Sequence, residues 1–277
     1  MRRSYATDVL AALEPLKAHF DVLPYGELDY SPDGRYPLNA LKSRAWNDSL
    51  PIALVTGGVH GYETSGVLGA LRFAAREAAH FAGRLNLLVV PCVSPWGWER
   101  IQRWNPDALD PNRSFKADGA ALEARRLMTF IAPWKSRVLV HVDLHETTDS
   151  DETEFRPARA ARDGKTYAAE EIPDGFYLVD DAKNPQPAFQ AAIIEAVSKV
   201  THIAESDARG QLIGEPVSTR GVIAYEVRQL GLCTSLTGAR FTTTTEVYPD
   251  SPRTTPEQCT EAQVVAARTA LEFALRA

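Results

Sequence analysis

Cysteine is scarce in this sequence: Cys92, Cys233 and Cys259 are the only three in 277 residues, far apart and odd in number. With no Cys-x-x-Cys, neither a disulfide framework nor a thiolate metal site is indicated. Long apolar runs are missing as well, with no stretch of about 18 residues to cross a bilayer. Near the N-terminus, Asp8 and Glu14 interrupt what would be the apolar part of a secretion signal. These absences predict a soluble, cytoplasmic protein with no membrane partner. Basic charge is in deficit, 30 Lys and Arg against 36 Asp and Glu for a net −6. No nucleic-acid partner is therefore expected, since phosphate contacts need a basic footprint. There is no internal repeat and no long linker. What remains is a near-average globular composition, 44% hydrophobic and 24% charged, on a chain long enough for a large core.

Apolar spacing predicts a helix over residues 6–20, with Val9, Leu10, Leu13, Leu16 and Phe20 on one face. A short strand follows at 36–42. Continuous apolar runs at 51–56, 85–90 and 137–144 read as buried strands. Helices are expected at 63–81, 120–131 and 188–200. Residues 222–227 and 240–247 are β-rich. Thr255-Pro256-Glu257-Gln258 carries the signature of a helix start, N-cap, Pro at N1 and Gln at N3, for a helix running to about 275. Residues 94–119 read as an ordered loop and 145–185 as a polar, irregular excursion of the kind that usually carries function. The alternation predicts a single domain over 1–277: a three-layer α/β/α arrangement with a central mixed, mainly parallel sheet. Ligands in such sheets sit beyond the carboxyl ends of the strands.

The chemically capable residues fall at those ends. His60-Gly-Tyr-Glu63 leaves a buried strand and enters a helix, where i and i+3 share a face. An imidazole and a carboxylate are suitable zinc ligands, and a catalytic zinc takes three protein ligands and keeps one position open. His145, closing the strand Val138–His145, is the best third candidate. His141 and Asp143 share its face by the two-residue period, and His141 reads as a core histidine. His19, His80 and His202 have no partner at ligand spacing. The loop from Arg100 to Arg113 carries Arg103, Asn112 and Arg113, donors suited to a carboxylate. Glu246 closes a threonine-rich strand and could serve as a general base or simply face solvent.

In order along the chain, Gly57-Gly-Val-His60-Gly-Tyr-Glu63, Arg103-x-Asn-x-x-x-x-Asp110-x-Asn112-Arg113, Asp143-Leu-His145 and Thr-Thr-Thr-Glu246 form a pattern. It resembles the M14 zinc carboxypeptidases and their succinylglutamate desuccinylase/aspartoacylase relatives. The resemblance implies a zinc-carboxypeptidase-like fold and one zinc per chain, bound by His60, Glu63 and His145. It implies that Glu246 is the general base that activates water at the metal and passes its proton to the leaving nitrogen. Arg103 would polarise the scissile carbonyl and stabilise the oxyanion, while Asn112 and Arg113 hold the substrate's free carboxylate. Asp110 would orient His60, and Tyr225 would contribute to substrate binding. Pro111 stands where the family more often has an aliphatic residue. Glu146 lies outside the resemblance and is open between tuning the metal and facing solvent.

The leading expectation is a metallocarboxypeptidase-like hydrolase acting on a peptide amide next to a free C-terminal carboxylate. The alternatives are an N-acyl amino acid deacylase of the aspartoacylase type and a non-catalytic carboxylate-binding module. The partner in the first two is a small peptide or acylated amino acid. Local charge adds a further expectation. Arg100, Arg103, Arg113 and Lys116 crowd the candidate substrate loop, while residues 143–154 hold six acidic groups and no Lys or Arg. Asp149, Asp151 and Glu152 could then form an acidic rim for a substrate amino group.

Overall fold

The computed structural model describes residues 3–277. Its frame is an eight-stranded sheet made of β1 (Phe20–Asp29), β2 (Arg35–Ser43), β3 (Ile52–Gly57), β4 (Asn86–Val90), β5 (Val138–Glu146), β6 (Tyr177–Asp181), β9 (Val222–Tyr225) and β10 (Phe241–Val247). The spatial order is β1-β2-β4-β3-β5-β10-β6-β9. A two-residue hairpin, β7 (Gln211–Leu212) and β8 (Glu215–Pro216), stands apart. The helices are α1 (Thr64–Phe81), α2 (Pro95–Arg100), α3 (Leu122–Ile131), α4 (Arg156–Arg162), α5 (Pro187–Val197), α6 (Val227–Leu230) and α7 (Pro256–Arg276).

The four central strands β4, β3, β5 and β10 run parallel; β2 and β6 join their edges antiparallel, with β1 antiparallel to β2 and β9 parallel to β6. Burial on both faces explains their unbroken apolar runs. In β3, Ala53 and Val55 point into the core shared with α1, α5 and α7, while Ile52 and Leu54 point into the core shared with α3. The helix α1 covers the first face with Val67, Ala70, Leu71, Ala74 and Ala78, at helical spacing. Thr255 and Gln258 form the expected reciprocal cap of α7. The four threonines of β10 are buried, and α5 and α7 supply partners for two of them. The Thr243 hydroxyl donates to Gln190 Oε1 (2.7 Å), and the Thr245 hydroxyl donates to Gln263 Oε1. Gln263 in turn donates to the His145 carbonyl at 2.8 Å, so α7 fixes the ends of β5 and β10 together.

Three expectations change. Residues 6–18 form short π- and 3₁₀-type turns rather than one helix, and Phe20 opens the edge strand β1. Its alternation is broken by a bulge between Pro24 and Gly26, which hides the strand in the sequence. The 94–119 loop contains α2 and a helical turn at Pro111–Arg113. The 145–185 excursion contains α4 and the strand β6, which pairs with both β10 and β9.

The carboxyl ends of β3, β5 and β10 meet at one place. Close packing there depends on Gly66, where an added Cβ would fall 2.4 Å from the Leu144 carbonyl oxygen of β5. Gly66→Ala is expected to push the first turn of α1 away from β5. A loss of about 1–3 kcal/mol, read as a drop of several degrees in Tm, checks it; an unchanged melt would show that the turn relaxes freely.

Candidate metal centre and active site

The chain leaves β3 through Gly57 and Gly58, whose φ of +60° suits glycine, and reaches His60 and Glu63 before α1 begins. The expected placement of both residues on one face of that helix is corrected here. Glu63 precedes the helix with an extended backbone (φ −75°, ψ 104°), so the turn itself brings the two side chains together. His145 arrives from the end of β5. The three are 2%, 0% and 1% exposed, and a donor atom from each lies within 4.8 Å of the others.

Both imidazoles present Nδ1 to Glu63. His60 Nδ1 lies 2.8 Å from Oε1, and His145 Nδ1 lies 2.9 Å from Oε2. Each Nε2 faces a different carboxylate: Asp110 Oδ1 at 3.0 Å from His60 and Asp143 Oδ2 at 2.7 Å from His145. An Nε2–H donated outward leaves the Nδ1 lone pair for the centre, the usual arrangement of metal-binding histidines. Although 2.9 Å from His145 Nδ1, the buried Glu63 Oε2 is not aligned to accept a hydrogen bond from it, an arrangement that a cation between the three groups would satisfy. The donor set therefore fits a divalent ion with mixed nitrogen and oxygen ligands. Burial works against the charged forms. Even so, His145 and His60 hold Glu63 down at about 2, and Glu63 and Asp143 raise His145 well above the usual imidazole range.

Asp110 sits beside His60 as expected. Asp143 plays the same part for His145, a role the sequence reading missed although Asp143 and His145 share a face of β5. Its other oxygen accepts from the Thr56 hydroxyl at 2.6 Å. His141 stays in the core; burial lowers it to about 4, and Thr56 lies 3.0 Å from its Nε2. His80 and His202 each meet one surface carboxylate, Glu272 and Asp174. Among the described residues, none of these three joins the cluster.

Glu246 of β10 is the register partner of His145 on the neighbouring parallel strand β5. The Thr147 hydroxyl donates to Glu246 Oε2 (2.8 Å) and thereby accepts from the Tyr177 hydroxyl (2.7 Å). Neither Thr147 nor Tyr177 was legible in advance, because β6 was hidden in the excursion. The chain fixes one carboxylate oxygen of Glu246 in this way.

A cavity of about 700 Å³ opens over these groups, lined by His60, Glu63, Arg103, Asn112, Arg113 and Glu246. Tyr225 also lines it, from the end of β9. The Asn112 side-chain Oδ1 accepts from the Cys233 N–H at 2.7 Å, and Nδ2 lies 3.4 Å from His145 Nε2. Arg103 is paired with Asp151 at 2.8 Å and with Asp110 at 3.5 Å. Arg113 donates only to the Asn112 carbonyl at 2.7 Å and has no acidic partner among the described residues.

The charge asymmetry is redistributed. Arg100 and Lys116 do not line the cavity; α4 instead adds Arg156, Arg159 and Arg162 at helical spacing. The expected acidic rim is already engaged: Asp151 binds Arg103 and the Tyr62 hydroxyl, and Glu152 binds Arg156 and Tyr167. Asp149 accepts from the Tyr248 hydroxyl at 2.6 Å.

Residues 49–171 match the model of the Succinylglutamate desuccinylase/Aspartoacylase catalytic domain. Over these residues the chain is similar to the desuccinylase/aspartoacylase catalytic domains. The match takes in all three candidate metal ligands, whereas Tyr225 and Glu246 lie beyond it. No curated protein matches the sequence. Among solved structures, a candidate metallopeptidase from Shewanella amazonensis SB2B aligns with 21% identity and a TM-score of 0.70, covering 97% of this chain and 91% of that one. A metallo-carboxypeptidase from Burkholderia cenocepacia aligns with 16% identity and a TM-score of 0.64, covering 96% and 68%. Carboxypeptidase A from Helicoverpa armigera gives 13% and 0.64, covering 100% and 74%. Identities this low establish the fold alone, a carboxypeptidase-like one. It is the mixed, mostly parallel sheet with helices on both sides that the sequence predicts. Family and fold together support a metal-dependent hydrolase. Among the described residues, no helix is long and apolar enough to cross a membrane.

Proposed function

We propose that this protein is a zinc-dependent hydrolase that cleaves the amide bond next to a free carboxylate in a small peptide. The observation that carries this is one cavity lined by His60, Glu63, Glu246 and an Arg113 guanidinium that lacks a carboxylate partner, with His145 clustered against Glu63 at 2.9 Å. A half-buried guanidinium without a carboxylate partner has unused donors, and a substrate carboxylate would satisfy them in paired, charge-assisted geometry. Bound to His60, Glu63 and His145, zinc would supply an acidified water and a polarised carbonyl. Glu246 accepts the proton of the attacking water and returns it to the leaving nitrogen, with Thr147 holding its other oxygen. Arg103 faces the charge that develops on the carbonyl oxygen, kept rigid by Asp110 and Asp151. Asn112, Arg113 and Tyr225 orient the substrate.

A second reading, removal of the acyl group from an N-acyl amino acid, is favoured by the family match over residues 49–171. Both substrate types place a carboxylate beside the scissile amide. The deciding experiment is hydrolysis by the zinc-loaded protein of C-terminal dipeptides in parallel with N-acyl amino acids. Higher kcat/KM on the dipeptides supports the first reading, a reversed preference supports the second, and no turnover of either class leaves only a binding module.

Arg113→Ala is expected to raise KM for carboxylate-ended substrates by roughly 10- to 100-fold, as loss of a charge-assisted contact of about 1.5–3 kcal/mol would, with kcat little changed. Amidated substrates should show no such loss. An equal loss on both would argue against a carboxylate clamp.

A further inference from the structure

Glu63 occupies the N-cap position of α1, yet its side chain makes no capping bond. An N-cap side chain ordinarily accepts from the first free N–H groups of its own helix. Here the Glu63 carboxylate faces His60 and His145 instead. The capping acceptor comes from another element. Glu146, next to His145 at the end of β5, accepts from the Ser65 N–H with Oε1 (2.6 Å) and from the Thr64 N–H with Oε2 (2.9 Å). It is 4% exposed, and a carboxylate in this position complements the positive end of the helix.

The same turn is gripped from outside. Arg3 donates from one guanidinium nitrogen to the carbonyls of Tyr62 (2.8 Å) and Gly61 (3.3 Å), and from the other to Thr64 Oγ1 (2.6 Å). Its guanidinium also lies over the Trp98 ring, 4.5 Å from the centroid, a favourable cation–π position. Residues 61–65 are thus held by two guanidinium nitrogens of Arg3 and two carboxylate oxygens of Glu146, all outside the metal cluster, although Glu146 also borders the cavity. Thr64, directly after Glu63, is bound at its backbone by Glu146 and at its side chain by Arg3.

We propose that Arg3 and Glu146 are positioning residues that brace the His60–Glu63 turn and couple it to His145, so that the three metal ligands are preset before the ion binds. Glu146 links the ligand on β5 to the helix that follows Glu63; Arg3 closes the turn on its far side. The proposal rests on the metal-centre reading of His60, Glu63 and His145.

The test uses the whole protein and zinc alone as probe, with affinity measured by chelator competition and the fold followed by melting of the metal-free form. Arg3→Ala and Glu146→Gln are each expected to weaken zinc binding by about tenfold or more, the usual cost of losing an orienting partner. Gln keeps one acceptor oxygen but turns an NH₂ toward the second N–H. Arg3→Lys, which reaches fewer of the three acceptors, should recover part of the loss. With cobalt in place of zinc, the visible bands of Arg3→Ala should differ from those of the wild type, a change that a merely structural role would not produce. Should Glu146→Gln fail to fold, Arg3→Ala at the periphery still decides the matter. Zinc affinities within twofold of wild type in Arg3→Ala would overturn the brace while leaving the metal centre intact. Wild-type protein that takes up no zinc would instead overturn the metal centre, and the brace with it.

Discussion

Glu246→Gln is expected to lower kcat by about 10²–10⁴-fold, the usual contribution of a general base, with zinc content and KM close to wild type. The amide replaces the carboxylate at nearly the same volume and can still accept from Thr147, so the cavity keeps its shape. What it cannot do is take a proton. Metal analysis and steady-state kinetics on the better of the two substrate classes read this directly. Turnover near wild type would remove Glu246 from the chemistry.

The same substitution has a second, opposite consequence. In the metal-free protein burial pushes Glu246 up to about 7; His145 opposes the shift and Glu63 adds to it. A carboxyl raised from 4.5 to about 7 binds more protons folded than unfolded within that window. Stability therefore falls as pH rises through it, and the loss is complete above about 7. Gln has no such loss. Metal-free Glu246→Gln should melt higher than metal-free wild type at pH 8, with the gap closing toward pH 4. A cation at the three ligands favours the carboxylate, so the acid limb of wild-type kcat/KM should lie below 7 and disappear in the variant's residual rate.

His145→Ala is expected to abolish zinc binding and also to destabilise the metal-free protein. Two effects combine. The ligand set falls to His60 and Glu63, too few to hold a catalytic ion. In addition, Glu63 and Asp143 lose the imidazolium between them, at 2.9 and 2.7 Å, while all three groups stay buried. Removing one partner from such a cluster costs about 3–5 kcal/mol, near 10 °C in Tm for a chain of this size at roughly 2–4 °C per kcal/mol. The sign with pH follows from the shifts. His145, raised in the folded state, stabilises fully below its ordinary 6.5, and Glu63, depressed, stabilises fully above its ordinary 4.5. The deficit of the variant should therefore be greatest between those values. Zinc bound in wild-type amount by His145→Ala would exclude His145 as a ligand.

Much of this centre was legible in the sequence because its parts are local. His60 and Glu63 lie three residues apart, Asp110, Asn112 and Arg113 fall within four, and His145 ends an unmistakable buried strand. Asp143 could have been found by the same reasoning, since it stands two residues before His145 on one face. Thr147 and Tyr177 could not. Their meeting with Glu246 depends on β6 running antiparallel to β10, and β6 is a five-residue strand inside a polar segment. The cationic wall of α4 was missed for a related reason: Arg156, Arg159 and Arg162 share a face only once the segment is known to be helical. At the N-terminus the error was one of period. Phe20 continues the helical spacing of Leu13 and Leu16, but the edge of the sheet recruits it into β1, a tertiary effect that local spacing cannot report.

The register of His145 against Glu246 has a consequence for how such a protein can diversify. The separation of His145 and Glu246 is set by the ladder between two central strands, about 4.8 Å apart, and Gln263 of α7 ties that ladder to Ser65 in the first turn of α1. Further cavity-lining groups come from α4 and from the short β7–β8 hairpin with its turn, which hang on connections outside the ladder. Insertions, deletions or grafts in those connections can therefore change which molecule is admitted while the reaction geometry is inherited intact. In this architecture, selectivity is the part open to evolution and to engineering, and the chemistry is the part held constant.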